Sequence, residues 1–389
     1  MATNTRVLVN SAASVVSDGE EIRPTRRAPS GAAWRVRTRV CRGGRSEGVQ
    51  VVEIDNGRIS IDVLPTRGMG IWRVRRGEAT LGWRSPVRGP VHPSFVPVFD
   101  PSGLGWLEGF DELLCRCGLA TNGAPDFDAG GRLLHPLHGR VANLPAHRVE
   151  LIVDEDAERL TLRGVVEETR FHFPSLRLTS SITTAFGSDE FAWTDEVENI
   201  GGRDATMQML YHFNVGQPLL VPGARLSAPV AVVAPISSAA AEGIDDWHTM
   251  PPARPGSTEH VFCFELHADG AGDTRLLLSE LADGQAVSLR FNKQALPRFV
   301  LWKNTPAEID GYVMGIEPST NYPNPHSFEK KHGRVISLAP GDKWQAEVAV
   351  AWHTDADAIA REAAAIRTIQ VDRETIFHDQ PRADWSASR

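Results

Sequence analysis

The sequence predicts an all-β fold, an antiparallel sandwich or barrel, on three observations. Short apolar runs recur at intervals too close for helices to fit between them. Turn formers are abundant, with 34 Gly and 26 Pro in 389 residues. And Asp55-Asn56-Gly57-Arg58 separates Val51-Val52-Glu53-Ile54 from Ile59-Ser60-Ile61-Asp62-Val63. Asn-Gly between two such runs is the strongest short hairpin signal, because both residues tolerate the positive φ of a tight turn. Alternating βαβ units would need a helical crossover between successive strands, and none is visible.

In chain order, residues 1–30 are polar and basic, with Arg23, Arg26 and Arg27 near two prolines. Lacking apolar periodicity, they read as a flexible N-terminal arm, mobile or loosely docked. After the Asn-Gly hairpin, Leu151-Ile152-Val153 and Leu160-Thr161-Leu162 flank a charged turn, and Leu176 to Ser180 and Phe191 to Thr194 flank Gly187-Ser188-Asp189. Further short strands are expected at 286–291, 298–302 and 344–352. One helix is expected over 355–369, where Ile359, Ile366 and Ile369 share a face and Thr354 or Asp355 can cap the start. Residues 370–389 read as a polar C-terminal tail, leaving 31–369 as a single β domain without internal repeats.

Lys and Arg total 41 against 49 Asp and Glu, a net charge of -8. Such a chain carries no general basic field for a phosphate backbone, so nucleic acid is not an expected partner. No stretch approaches the roughly 18 apolar residues of a membrane helix, and nothing at the start reads as a secretory leader. The expectation is a cytoplasmic protein without a membrane partner. Cys41, Cys115, Cys117 and Cys263 are too few and too irregular for a disulfide framework. Cys115-Arg116-Cys117 reads as two reduced thiols.

Three long stretches between these elements carry the chemistry: 103–144, 210–223 and 300–325. The first contains His138-Gly139-Arg140-Val141-Ala142-Asn143. An imidazole, a guanidinium and an amide within six residues can bind several hydroxyls together, or simply tie down a proline-bounded loop. His135 and His138 are imidazole ligands in type. Without an HExxH pattern or a cysteine pair they do not complete the three or four ligands zinc needs, so no metal is expected. In the second stretch, period-two alternation puts His212 and Asn214 on one side of a strand and Tyr211 and Phe213 in the core. His212 is then a site residue or a satisfied core histidine. In the third, Glu317 stands at the end of an apolar strand before Pro318. Burial there would raise its pKa and suit it to proton transfer near neutrality, although an ordinary ion-paired Glu fits the same pattern.

Leu210-Tyr211-His212-Phe213-Asn214-Val215 resembles the histidine strand of the aldose 1-epimerases (galactose mutarotases), and Gly315-Ile316-Glu317-Pro318 resembles the strand of their catalytic glutamate. Leu64-Pro65-Thr66-Arg67-Gly68-Met69-Gly70 is similar to an early strand of that superfamily, and Leu137-His138-Gly139-Arg140 to its His-Gly loop. The resemblance spans roughly residues 45 to 352. The His-Gly-Arg-Val-Ala-Asn wording, with Trp302-Lys303, is most like a bacterial, epimerase-related branch.

The resemblance implies a large antiparallel β-sandwich, the galactose mutarotase-like supersandwich, with a sugar on its concave face and a short C-terminal helix outside. It implies His212 as the acid that protonates the ring oxygen, Glu317 as the base for the anomeric hydroxyl, and no cofactor. Arg67, His138, Arg140, Asn143 and Asn214 would surround the sugar. Glu259 would stand where the family often has an Asp, Trp302 would form a wall, and Lys303, without a counterpart, would read an acidic or otherwise unusual substrate. The partner would be a small-molecule sugar, and the protein a monomer or homodimer. His212 and Glu317 are then expected to face each other across a solvent-connected pocket near Arg67, His138 and Arg140. Two alternatives use the same residues: another sugar isomerase or lyase reaction, or a carbohydrate-binding or sensing protein without catalysis.

Overall fold

Residues 3–24 and 29–387 are described in a computed structural model. Arg26 and Arg27 lie outside the described residues. Among these residues two large sheets, of ten and thirteen strands, face each other across one hydrophobic core. The expected hairpins form. Gln50–Asp55 pairs with Ser60–Leu64, Arg148–Asp154 with Arg159–Glu168, and Leu176–Ala185 with Glu190–Asn199, all antiparallel. The Asn-Gly turn also joins the sheets: Asn56 Oδ1 accepts from the Arg58 and Ile59 amides, while its Nδ2 donates to Thr184 Oγ1 at 2.7 Å in the opposite sheet.

The helix runs Ala356–Gln370, with the Asp355 side chain accepting from the Ala358 amide. Ile366 packs with Leu277 and Ala286 against the outside of the ten-stranded sheet, and Ile359 lies partly buried beside it. Alternating burial along the strands of this sheet reflects one face on the core and one in water.

Two expectations about the ends need correction. The arm is not free, because Thr3–Asn10 pairs antiparallel with Arg148–Asp154 and buries Leu8 and Val9 in the core. Three apolar residues, Val7 to Val9, are too short a run to announce a strand, yet an open sheet edge supplies the hydrogen bonds that hold it. The tail is likewise docked. Ile376–Phe377 adds in parallel to Val230–Pro235, and Trp385 is buried with its ring 4.7 Å from that of Tyr322.

Two of the long stretches also prove to be strand. Leu210–Gly216, Arg298–Asn304 and Val313–Ser319 are neighbours near the middle of the thirteen-stranded sheet, with Leu114–Cys117 on the other side of the first. Leu210–Gly216 and Val313–Ser319 are buried at every position. One face meets the second sheet, the other is roofed by residues 83–112 and 135–142, and burial on both faces removes the alternation that marks a strand in sequence.

Candidate active site

Strand register brings the two expected proton carriers together. Phe213 lies opposite Ile316 and Asn214 opposite Gly315, which sets His212 level with Glu317 on adjacent strands. His212 Nε2 is 3.1 Å from Glu317 Oε1. Their alignment leaves Oε1 a buried acceptor without a full hydrogen bond. The pair is therefore side by side, and not across an open pocket as expected. It is also deeply buried, His212 being 5% and Glu317 2% exposed. Tyr211 and Phe213 point the other way, onto Trp193 of the opposite sheet.

Asn214 fixes the state of the imidazole. Its Nδ2 donates to the carbonyls of Glu112 and His212, so its Oδ1 must face His212 Nδ1, at 2.6 Å. Nδ1 then carries the proton and Nε2 presents its lone pair to Glu317. Burial pulls His212 well below the ordinary histidine value, with the nearby His138 acting in the same direction and the Asn214 bond against it. Burial also pushes Glu317 well above the usual carboxylate range, helped by the negative charge of Glu259. Both shifts favour the uncharged forms, a neutral imidazole and a protonated carboxyl, over an ion pair.

An aromatic cup encloses this pair. Ring centroids of Phe110, Trp302 and His138 lie 4.9, 5.2 and 5.5 Å from that of His212, and Trp106 packs on both Phe110 and His138. Trp83 closes on Phe110 from the far side at 4.9 Å. Trp302 Nε1 donates to Glu259 Oε2 at 2.7 Å, so an exposed carboxylate holds one wall at the rim. His138 Nδ1 donates to the Asn122 carbonyl at 2.9 Å, which leaves its Nε2 as an acceptor. Its turn requires Gly139, at φ 73°, where a Cβ would strike the carbonyls of Gly118 and Thr121. Beneath the pair, a Cβ at Gly315 would come within 2.6 Å of Glu317 Oε1 and 3.0 Å of His212 Cε1.

His212, Glu317, Asn214, His138, Trp302 and Glu259 are thus brought together. Four other expected residues are not placed to hold a sugar. Arg67 is buried with four of its five N–H donors used, by Glu112 and by the Val91 and Gly109 carbonyls and Asn143 Oδ1 at 2.9 to 3.0 Å. It clamps the roof, and Asn143 serves as its partner. Arg140 lines a different cavity. Lys303 follows Trp302 on an alternating strand and so faces inward, where its ammonium donates to the Asp246 and Thr249 carbonyls at 3.0 and 3.1 Å. An ammonium held there cannot read an acidic substrate.

Sequence reasoning set Trp106 and Trp83 aside as core tryptophans, taking only Trp302 as a wall, and missed Phe110 as a cup wall and Glu112 as the anchor of Arg67. The unusual length of the 103–144 stretch was the available signal. The four cysteines are free, with Cys115 and Cys117 in the apolar floor among Trp106, Phe110 and Leu210. Among the described residues no group of three or more His, Cys, Asp and Glu side chains is placed to hold a metal ion, and no helix is long and apolar enough to cross a membrane.

Residues 46–351 match the family described as domain of unknown function DUF4432. A crystal structure from Klebsiella pneumoniae, provisionally described as an aldose 1-epimerase, is 32% identical, with 98% of this chain and 100% of that one covered at a TM-score of 0.93. A galactose mutarotase-like protein from Clostridium acetobutylicum shares the fold at 13% identity and TM-score 0.54, covering 82% of this chain and 98% of its own. An Escherichia coli protein, also provisionally described as an aldose 1-epimerase, does so at 14% identity and TM-score 0.51, covering 79% and 99%. A search of curated proteins finds none that matches.

Proposed function

The chain belongs to the DUF4432 family and has the galactose mutarotase-like fold, and on that footing we propose that it is an aldose 1-epimerase-like isomerase that interconverts the anomers of a sugar. The observation that carries this reading is the side-by-side contact of His212 and Glu317. Ring oxygen and anomeric hydroxyl hang on the same carbon. Opening the ring delivers a proton to the first and removes one from the second, so the donor and the acceptor must be neighbours. In the resting pair Glu317 is the donor and the His212 Nε2 lone pair the acceptor. The assignment implied by resemblance, with His212 as the acid, requires the proton first to cross the 3.1 Å contact. Ring closure runs through the same atoms in reverse, so each group donates and accepts in turn.

Trp302 and Phe110 present apolar faces suited to the C–H face of a pyranose, while His138 Nε2 and Glu259 offer acceptors for its hydroxyls. Another sugar isomerase or lyase reaction on the same pair draws no support from Lys303, which the fold turns away from this cup. We also infer that the protein works in the cytoplasm, where a reduced thiol pair is stable.

The test is exchange NMR between α and β anomers across a panel of neutral, deoxy and acidic sugars. Exchange above the spontaneous rate for at least one sugar is expected. Binding without exchange for every sugar would favour a sensing protein. A second expectation concerns pH. The working form carries one proton across the pair, so activity falls on the acid side when His212 also protonates, below the ordinary 6.5 of a histidine. It falls on the alkaline side only above the ordinary 4.5 of a carboxyl, where the raised Glu317 carboxyl loses its proton. A profile of kcat/KM against pH with its acid limb above 6.5 would contradict the assigned protonation. A third concerns Gly315. Gly315→Ala pushes on both carriers, and displacements of this size cost about 10²-fold in rate. Exchange should fall accordingly while unfolding by urea is little changed; full activity would mean that the contact is not used.

A further inference from the structure

Behind the His138 turn lies a second cavity of about 350 Å³, walled by Phe99, Leu134, Phe173, Arg140, Arg170 and Thr121. Its volume is in the range of small-molecule pockets. The first three side chains are large and apolar yet about half exposed, at 51%, 45% and 51%. Clustered around one concavity, they form a surface that an apolar body would cover.

The polar groups of this cavity point to an anion. The Arg140 guanidinium sits 5.8 Å from the Phe99 ring and that of Arg170 stacks on Phe173 at 4.1 Å. Ring faces hold both groups from one side and leave their N–H edges without a hydrogen-bond acceptor among the described residues. Glu168, the one carboxylate in the wall, is buried and accepts from the Leu119 amide at 2.8 Å. It forms no hydrogen bond or ion pair with either arginine, although Arg140 is near enough to act on its titration, and two guanidiniums against this one carboxylate leave the wall an excess of positive charge. The Thr121 hydroxyl is buried and has no partner, so a polar atom awaits a ligand at the base of the cavity. The rings of His135 and His326, tilted by 33° with centroids 4.7 Å apart, add no charge, since burial draws His326 down to about 4 and lowers His135 as well.

We propose that this cavity is a second small-molecule site, which takes an organic acid with a compact apolar body. Phe99, Leu134 and Phe173 cover the body, and Arg140 and Arg170 grip the carboxylate. A sugar is a poor occupant, because most of this wall offers its hydroxyls nothing. The site is separate from the cup, to which His138 faces while Arg140, two residues on, faces away.

The probe is phenylacetate, titrated calorimetrically into the full chain beside its neutral counterpart 2-phenylethanol. Phenylacetate should bind with saturation, and the alcohol about tenfold or more weaker, as expected for loss of a charge-assisted contact. Arg140→Gln and Arg170→Gln should each weaken phenylacetate by a similar factor. Leu134→Trp, which fills the cavity without touching a charge, should abolish binding, with circular dichroism reporting that each variant is folded. A crystal soak should place the carboxylate between the two guanidiniums. Absence of saturable phenylacetate binding, equal binding of the alcohol, or binding unchanged in the arginine and Leu134 variants would overturn the proposal. None of these results depends on whether the cup turns over a sugar.

Discussion

Glu317→Gln and His212→Asn should each slow anomer exchange by at least about 10²-fold, or about 2.7 kcal/mol of barrier. The first leaves the shape of the carboxyl but cannot cycle a proton, and the second removes the Nε2 acceptor that stands 3.1 Å from Glu317. Because proton transfer needs both members, the double variant should be little slower than either single one. Sugar affinity should change far less, since Trp302, His138 and Glu259 remain. Losses that multiply in the double variant would mean that the two residues act independently, against the shared-proton account.

Asp195→Ala should destabilise the protein by about 3–5 kcal/mol, as breaking a fully buried ion pair does. Asp195 and Arg116 are both 0% exposed by side chain, with Arg116 Nε 2.6 Å from Asp195 Oδ2. Arg116 also donates to Ser180 Oγ at 2.8 Å and to the Met69 carbonyl, so the alanine variant strands a guanidinium in the core. It stands in the strand beside His212, between Cys115 and Cys117, and faces the opposite sheet. The pair therefore locks the strand that carries the site onto the sheet behind it. Urea unfolding of wild type and variant reads the difference, and a loss below about 1 kcal/mol would show that the pair is not desolvated as the structure has it. Replacing both partners together by apolar residues of similar size should cost less than the single change, because no charge is left behind.

The sandwich was legible because most of its strands show one face to water. Arg159–Glu168 and Leu176–Ala185 alternate from end to end, and the Asn56-Gly57 turn carries its own conformational signature. His212 and Glu317 were legible for the opposite reason, as polar residues inside otherwise apolar strands. Their relation was not. Side-by-side placement follows from the register of Leu210–Gly216 against Val313–Ser319, and register between strands a hundred residues apart leaves no local mark. Arg67 and Lys303 misled in a similar way. Each looks like a substrate contact in sequence, but Glu112 and Asn143 claim the first and backbone carbonyls the second. Nothing in a sequence announces which buried acceptor will reach an arginine or lysine. The aromatic cup escaped because Phe110, Trp106 and Trp83 come from irregular chain, where periodicity gives no direction to a side chain. The N-terminal strand escaped because it borrows its stability from a sheet edge formed by residues 148–154.

The most direct test of the central claim, that a shared proton opens and closes a hemiacetal, is exchange NMR in D2O on a sugar labelled with carbon-13 at C1. The two anomeric signals should exchange faster with wild-type protein than without it, the acceleration should vanish with Glu317→Gln, and C2 should keep its proton throughout. Anomer exchange at the spontaneous rate for every sugar tried, or deuterium entering C2 as the protein turns over, would contradict the account, the latter by placing the chemistry beside the carbonyl instead of at the ring oxygen.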